Sequence, residues 1–196
     1  MYNIISYKNR RGRRKMKLKD FVTIESGKNT NRLSEKELAN QYTNLDAMMD
    51  FFTMAKEIDN SSNIIAFDLY PKSGNYNARV ISRKNSTKII TNQKMCKIIV
   101  DNKKISPYYL CYLLNEDNTV QRQKKIFTQG TFIERLRPSF LRNLDVELPA
   151  LPQQKLLGKI YVQSIYLNYL EKDLADKRLI QSKELLAQKI REGKTL

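Results

Sequence analysis

The sequence predicts an α+β fold: a globular part of mixed or antiparallel strands and short helices, followed by a long, coiled-coil-like C-terminal α-helix. Three observations point there. Residues 63–104 hold the short β-type runs "NIIAFDLY", "ARVIS", "TKIIT" and "MCKIIVD". Apolar residues recur at helical steps in "SEKELANQYTNLDAMMDFFTMAKEI" and in "SPYYLCYLLNE". Beyond "LPALPQQKLLGKIY" a heptad-like pattern runs almost to the C-terminus.

Taken in order, residues 1–19 hold eight Lys/Arg and no acid. Residues 1–15 read as a basic arm, either disordered and touching phosphates or of little consequence. The folded part starts at Met16. "FVTIESGKNTNR" is a strand running into a turn at Gly27 and a polar loop. Ser34 with Glu37 three residues on is a capping-box signal. It opens one or two helices whose stripe Leu38, Tyr42, Leu45, Met49 and Phe52 is expected in the core. That segment is net acidic and is expected to face away from a polyanion.

In the strand region, Ile65, Phe67 and Leu69 alternate with Ala66 and Asp68, as in a half-buried strand. "PKSGNY" is turn chemistry. Ser106 and Pro107 are placed as N-cap and first residue of a mostly buried helix. Residues 119–138 carry five basic residues and one acid around "TQGT". There Thr128, Gln129 and Thr131 can hydrogen-bond, and Gly130 lets backbone approach a surface closely. "SFLRNLDVELP" reads as a helical turn and a last strand.

From Pro152, Leu156, Ile160, Leu167, Leu170 and Leu174 trace a seam that resumes at Leu179, Leu186 and Ile190 after a step of five. A regular coiled coil does not skip, so the helix is expected to bend, break or change partner near Asp176–Arg178. Residues 152–192 span about 60 Å as a helix. A globule of this size cannot cover that length, so part of the stripe needs another chain or a fold-back hairpin. The organisation is thus an arm at 1–15, a globular domain at 16–148 and a spacer helix at 149–196.

The chain has 196 residues, 41% of them hydrophobic, which supplies one modest core. No apolar run approaches the roughly eighteen residues of a membrane span, so no membrane partner is expected. The N-terminus lacks the order of a secretory signal. Cys96 and Cys111 read as buried free thiols, with the cytoplasm as the expected compartment. The 36 Lys+Arg against 20 Asp+Glu give a net charge of +16, which favours a polyanionic partner, most often nucleic acid. Histidine is absent, which removes histidine-based nucleophile systems and metal sites. With no phosphate-binding glycine loop, catalysis is not expected, no cofactor or metal is expected, and a nuclease would need acid clusters the pattern lacks.

Several of these stretches carry a resemblance. "IESGKNTNR", "YYLCYLLNE", "QGTFIERLRPSFLRNLDVELP" and "LPALPQQKLLGKIY" follow one another in the order found in DNA-specificity subunits of type I restriction–modification systems. The chain is similar to them over residues 16–175. Two departures stand out. Gln153 and Gln154 replace the acids many relatives place at the helix start, so that start must rely on packing more than on capping. Family members typically carry two recognition domains and two conserved helices, whereas this chain resembles a half-subunit.

The resemblance implies a non-catalytic target-recognition domain. Its implied partners are double-stranded DNA, a modification methyltransferase subunit and a restriction subunit, with a second half-subunit or a homodimer completing it. Phosphate contacts are expected from Lys28, Arg32, Lys72, Arg79, Arg83, Arg122, Lys124, Lys125, Arg135 and Arg137. Base edges are expected to be read by Asn29, Asn31, Asn75, Asn77 and Gln129. The helical residues Leu156, Ile160, Leu167, Leu170, Leu174, Leu179 and Leu186 are expected at an antiparallel seam. Gly158, costly in a helix by about 1 kcal/mol, fits either a close backbone contact or tolerated drift. The competing expectation is a non-specific nucleic-acid binder or a regulatory decoy without a restriction role.

Overall fold

The computed structural model describes residues 16–56, 61–70, 78–91, 94–129 and 135–193. The basic arm at 1–15 lies outside them. Two sheets form. The smaller pairs β1 (Met16–Lys17) with β6 (Asp145–Val146), antiparallel, joining the beginning of the fold to its end. The larger contains β2 (Val22–Ser26), β3 (Ser61–Asp68), β4 (Ala78–Ser82) and β5 (Met95–Val100) in the order β2-β5-β3-β4, every pair antiparallel.

The strand expected to be half-buried is buried on both faces. Ile65, Ala66, Phe67, Asp68 and Leu69 are all interior, because β3 is a central strand with a hydrophobic cluster on each side. "TKIIT" makes no strand. Ile89 forms a single parallel bridge to Gln41, while its neighbour Ile90 accepts the Lys28 N–H.

Ser34 and Glu37 make the expected capping box at the start of α1 (Glu35–Ala39). Helix α2 (Asn44–Lys56) corrects the expected core stripe. Leu45 and Met49 are 63% and 54% exposed, while Ala47, Asp50 and Met54 are buried. Leu38 and Tyr42 belong to the preceding segment, since the chain leaves the helix at Asn40. The buried face of α2 escapes an apolar count because Asp50 sits in its middle. Its carboxylate accepts hydrogen bonds from the Tyr42 hydroxyl at 3.0 Å and Asn85 Nδ2 at 3.0 Å, which offset its desolvation.

Helix α3 (Pro107–Asn115) has Pro107 in its first turn as expected, but the Ser106 side chain makes no cap bond. The Ser106 N–H instead donates to Gln154 Oε1 at 3.0 Å. Helix α4 (Asn118–Thr128) is capped by Asp117, and α5 (Pro138–Arg142) leads into β6. Cys96 and Cys111 are free and buried as expected, and burial pushes the Cys96 thiol up to about 12.

Helix α6 (Leu151–Gly193) runs unbroken for 43 residues, about 65 Å at 1.5 Å per residue. Neither a break near Asp176–Arg178 nor a fold-back hairpin is present. Its first half is anchored on α3. Gln154, only 2% exposed, also donates through Nε2 to the Pro149 carbonyl at 2.8 Å, so one side chain ties the Leu-Pro linker to the start of α3. An ideal Cβ on Gly158 would lie 2.6 Å from Tyr109 N and 2.8 Å from Tyr108 Cβ. The glycine is there because α3 of the same chain passes against it. Val162 is fully buried, Asn115 Nδ2 donates to the Tyr161 hydroxyl at 3.0 Å, and the Phe52 and Tyr169 rings meet at 4.4 Å. Beyond Leu170 the helix leaves the globule and its side chains are almost all exposed.

The seam residues Leu156, Ile160, Leu167, Leu170, Leu174, Leu179 and Leu186 are all solvent-exposed, at 40–64%. At 3.6 residues per turn they do not share one face. The first five cluster on one side, and Leu179, Leu186 and Ile190 lie roughly 140° further round. The step of five is a change of face on a continuous helix.

Replacing Gly158 with Ala distinguishes close contact from drift. An exposed helical Gly→Ala stabilises by about 1 kcal/mol; here overpacking against α3 is expected to destabilise by about 1–3 kcal/mol net. Urea unfolding of the two proteins measures the sign.

Candidate nucleic-acid interface

The antiparallel order of the larger sheet brings one set of strand ends together. At that end lie the close of β2, the start of β5, the close of β3 and the start of β4. Gly27 N donates to the Met95 carbonyl and Lys28 N to that of Ile90, so the basic turn after β2 folds over the start of β5. Leu69 N bonds the Lys94 carbonyl and Leu136 N bonds Leu69 O, which draws Lys94 and Arg135 to the same end. The Arg135 guanidinium sits over the Tyr70 ring, 5.4 Å from its centroid, a cation–π contact at the rim.

Lys28 and Arg32 are therefore joined with Arg135. Lys94 and Tyr70 were missed; a lone lysine and a lone tyrosine carry no motif, and only the strand pairing reveals their place. Lys28 is partly neutralised, since its Nζ bridges Glu37 at 3.1 Å. The acidic α1 thus touches the basic turn and does not face wholly away from it. Asn29 Oδ1 accepts from the Asn31 N–H at 3.1 Å, a local cap of the 3₁₀ turn Thr30–Arg32, while Asn31 is exposed on that turn. Lys72, Asn75 and Asn77 lie outside the described residues, as do Gly130 and Thr131.

Helix α4 sorts its cations by face. Arg122, Lys125 and Gln129 at its end fall on one side with Ile126, all exposed. Val120 and Lys124 fall on the other and are buried. Arg137 is exposed at the N-cap of α5.

Three candidates are placed elsewhere. Arg83 is exposed but follows the far end of β4, at the opposite edge of the sheet from Lys28. Arg79 is interior at 5% exposure, with Nη1 and Nη2 3.2 and 3.0 Å from the two Asp68 carboxylate oxygens. Replacing either partner leaves a buried charge alone, at a cost of about 3–5 kcal/mol. Lys124 is 2% exposed; its Nζ donates to the Leu114 carbonyl and lies 5.1 Å from the Phe67 ring centroid. Neither Arg79 nor Lys124 offers its charge to a phosphate. Both were misread because a basic letter within a basic run gives no sign of which way it points.

Among the described residues no three His, Cys, Asp or Glu are placed to hold a metal ion, and no helix is long and apolar enough to cross a membrane. Exposed cations thus sit at one end of the larger sheet and on one face of α4. The type I restriction modification DNA specificity domain matches the chain over residues 12–177. The chain belongs to that family. A search of curated proteins finds no match. A DNA-specificity role in type I restriction–modification is thereby shared by this specificity domain, and the family serves DNA recognition. The match ends at Lys177, two residues before the apolar seam of α6 changes face.

Burial pushes the Lys124 amine down to about 8, with Glu116 opposing the shift. Between about pH 8 and about pH 10 the unfolded chain binds a proton there that the folded specificity domain does not. Stability from this group therefore rises with pH across that window, and below it charging Lys124 costs stability. The stability of wild type relative to Lys124→Met (wild type minus variant) is expected to rise from pH 7.5 to pH 9.5. A pH-independent difference would show that the buried amine is not penalised.

Proposed function

We propose that this chain is a sequence-specific, non-catalytic DNA-recognition half-subunit of a type I restriction–modification system, dimerising through α6 to direct methyltransferase and restriction subunits to a target. The observation that carries the reading is the outward stripe Leu156–Leu174, which starts on the anchored half of α6 and runs one turn beyond it. The globule covers the other side of that half and leaves five large apolar side chains in water. A stripe of that length on a family member of this kind is suited to a second copy of the same helix.

A two-fold dimer reads two inverted half-sites, since symmetric protein halves meet symmetric sequence. The helix, about 65 Å long, is close to two turns of B-DNA at roughly 34 Å each. The target is then an interrupted palindrome. Phosphate contacts come from Lys28, Arg32, Lys72, Lys94, Arg122, Lys125, Arg135 and Arg137, and base contacts from Asn31, Asn75, Asn77 and Gln129.

Selection from random duplex DNA at about 150 mM salt is expected to enrich an interrupted palindrome. Recovery without any sequence preference would favour a non-specific nucleic-acid binder instead. Arg122→Ala and Lys125→Ala are each expected to weaken binding to all sequences alike and to lower the slope of log K against log salt by about 0.9. An unchanged slope would remove α4 from the interface.

A further inference from the structure

A groove of about 590 Å³ lies beside the anchored half of α6, between that helix, α3, the start of α4 and the residues after β6. Its walls are apolar, with Tyr112 and Leu113 on one side and Leu157 and Ile160 on the other. Its lips are acidic: Asp117, Asp145 and Glu147 all line it. In a chain of net charge +16, the groove gathers three carboxylates around one apolar trough. They suit a cationic, amphipathic occupant and repel a phosphate backbone.

We propose that this groove seats the distal half of α6 from a second copy of the chain. The inference rests on the two-fold dimer proposed above and adds a contact between one copy's globule and its partner's helix. Three observations support it. First, the distal half carries exposed apolar residues with cations beside them: Leu179, Ile180, Leu185, Leu186 and Ile190 are 54–64% exposed, and Lys183, Lys189 and Arg191 lie among them. Second, the length fits. Lys172 is the middle residue of α6, and a two-fold axis there sets Gln153 opposite Arg191, Leu157 opposite Ala187 and Ser164 opposite Ile180. Gln153, Leu157 and Ser164 all line the groove.

Third, the change of face needs a second wall. Leu179, Leu186 and Ile190 lie roughly 140° round from the proximal stripe, so two helices packed side by side bury only one of the two groups. A helix lying in the groove touches α6 along one flank and α3 and α4 along another. That arrangement covers both faces without bending the helix. The carboxylates Asp145 and Asp117 already have local work: the first bridges Lys17 at 2.8 Å and the second caps α4. Glu147 is the lip residue best suited to meet a cation from outside. Lys189 now holds Glu192 at 3.0 Å in an exposed pair, a contact that surface ion pairs exchange at little cost.

Charge exchange tests the seat. The full chain is compared by multi-angle light scattering and analytical ultracentrifugation as wild type, Glu147→Lys, the pair Lys189→Glu with Arg191→Glu, and all three together. Wild type is expected to dimerise at micromolar concentration. Each single-sided variant is expected to weaken the dimer roughly tenfold, because every change acts at two symmetric sites, while circular dichroism stays that of wild type. The combined variant is expected to recover most of the lost affinity. A wild-type dimer unaffected by Glu147→Lys, or a combined variant no tighter than its parents, overturns the groove contact and leaves helix pairing standing. A monomeric wild type overturns both.

Discussion

Everything the long helix can do depends on one backbone contact, the passage of α3 across Gly158. A helix that merely followed a linker would sample many directions. Here the missing side chain lets Tyr108 and Tyr109 approach the α6 axis closely. Gln154, one turn earlier, accepts the Ser106 N–H and returns a bond to Pro149. The amide thus satisfies a donor at the start of one helix and an acceptor in the linker before the other. Leaving that Ser106 N–H unpaired would cost about 1–3 kcal/mol. With the apolar contact of Val162 added, the first turns of α6 are part of the globule. The free half then projects at a defined angle, as the proposed spacer between two recognition modules requires.

The excess of positive charge is spent in two ways. Some cations are internal ties. Arg79 joins β4 to β3 through a two-pronged bond to Asp68, and Lys124 closes α4 onto the end of α3. Such groups are costly to bury and costlier to orphan, so they favour one arrangement of strands and helices over its competitors. Others form an open surface at one end of the larger sheet and along the outer face of α4. A phosphate backbone needs that second kind, since counterion release follows exposed charge. The formal charge of the chain therefore overstates its binding charge.

The helix itself carries two apolar sides in succession. The anchored half turns one side to the globule and the other to solvent. The free half turns Leu179, Leu186 and Ile190 close to the side by which the first half is docked. A straight two-stranded seam does not accommodate that pattern, whereas the proposed dimer, in which each globule offers a trough, does. The acids at the trough's lips complement the distal cations, so electrostatics and apolar burial favour the same pairing.

Much of this was legible in the sequence. The α+β class, the capping box at Ser34, Pro107 opening a helix, the closing helical turn and strand, and the long helix after the Leu-Pro linker all follow from local pattern. Local pattern reflects backbone geometry that neighbours in sequence can settle alone. The failures share a cause. The stripe through Leu45 and Met49 was taken for core because its spacing is helical, yet periodicity does not say which face is covered when a buried Asp50 interrupts the true one. Arg79 and Lys124 look like their basic neighbours until burial separates them. Gly158 was undecided because its reason, a backbone about fifty residues earlier, is not local. The sequence by itself determined most of the elements, the capping box at Ser34 and the family, since these depend on residue type and spacing. Only the tertiary structure decided which charges reach solvent and which face of each helix is open, because burial depends on what packs against a residue from elsewhere in the chain.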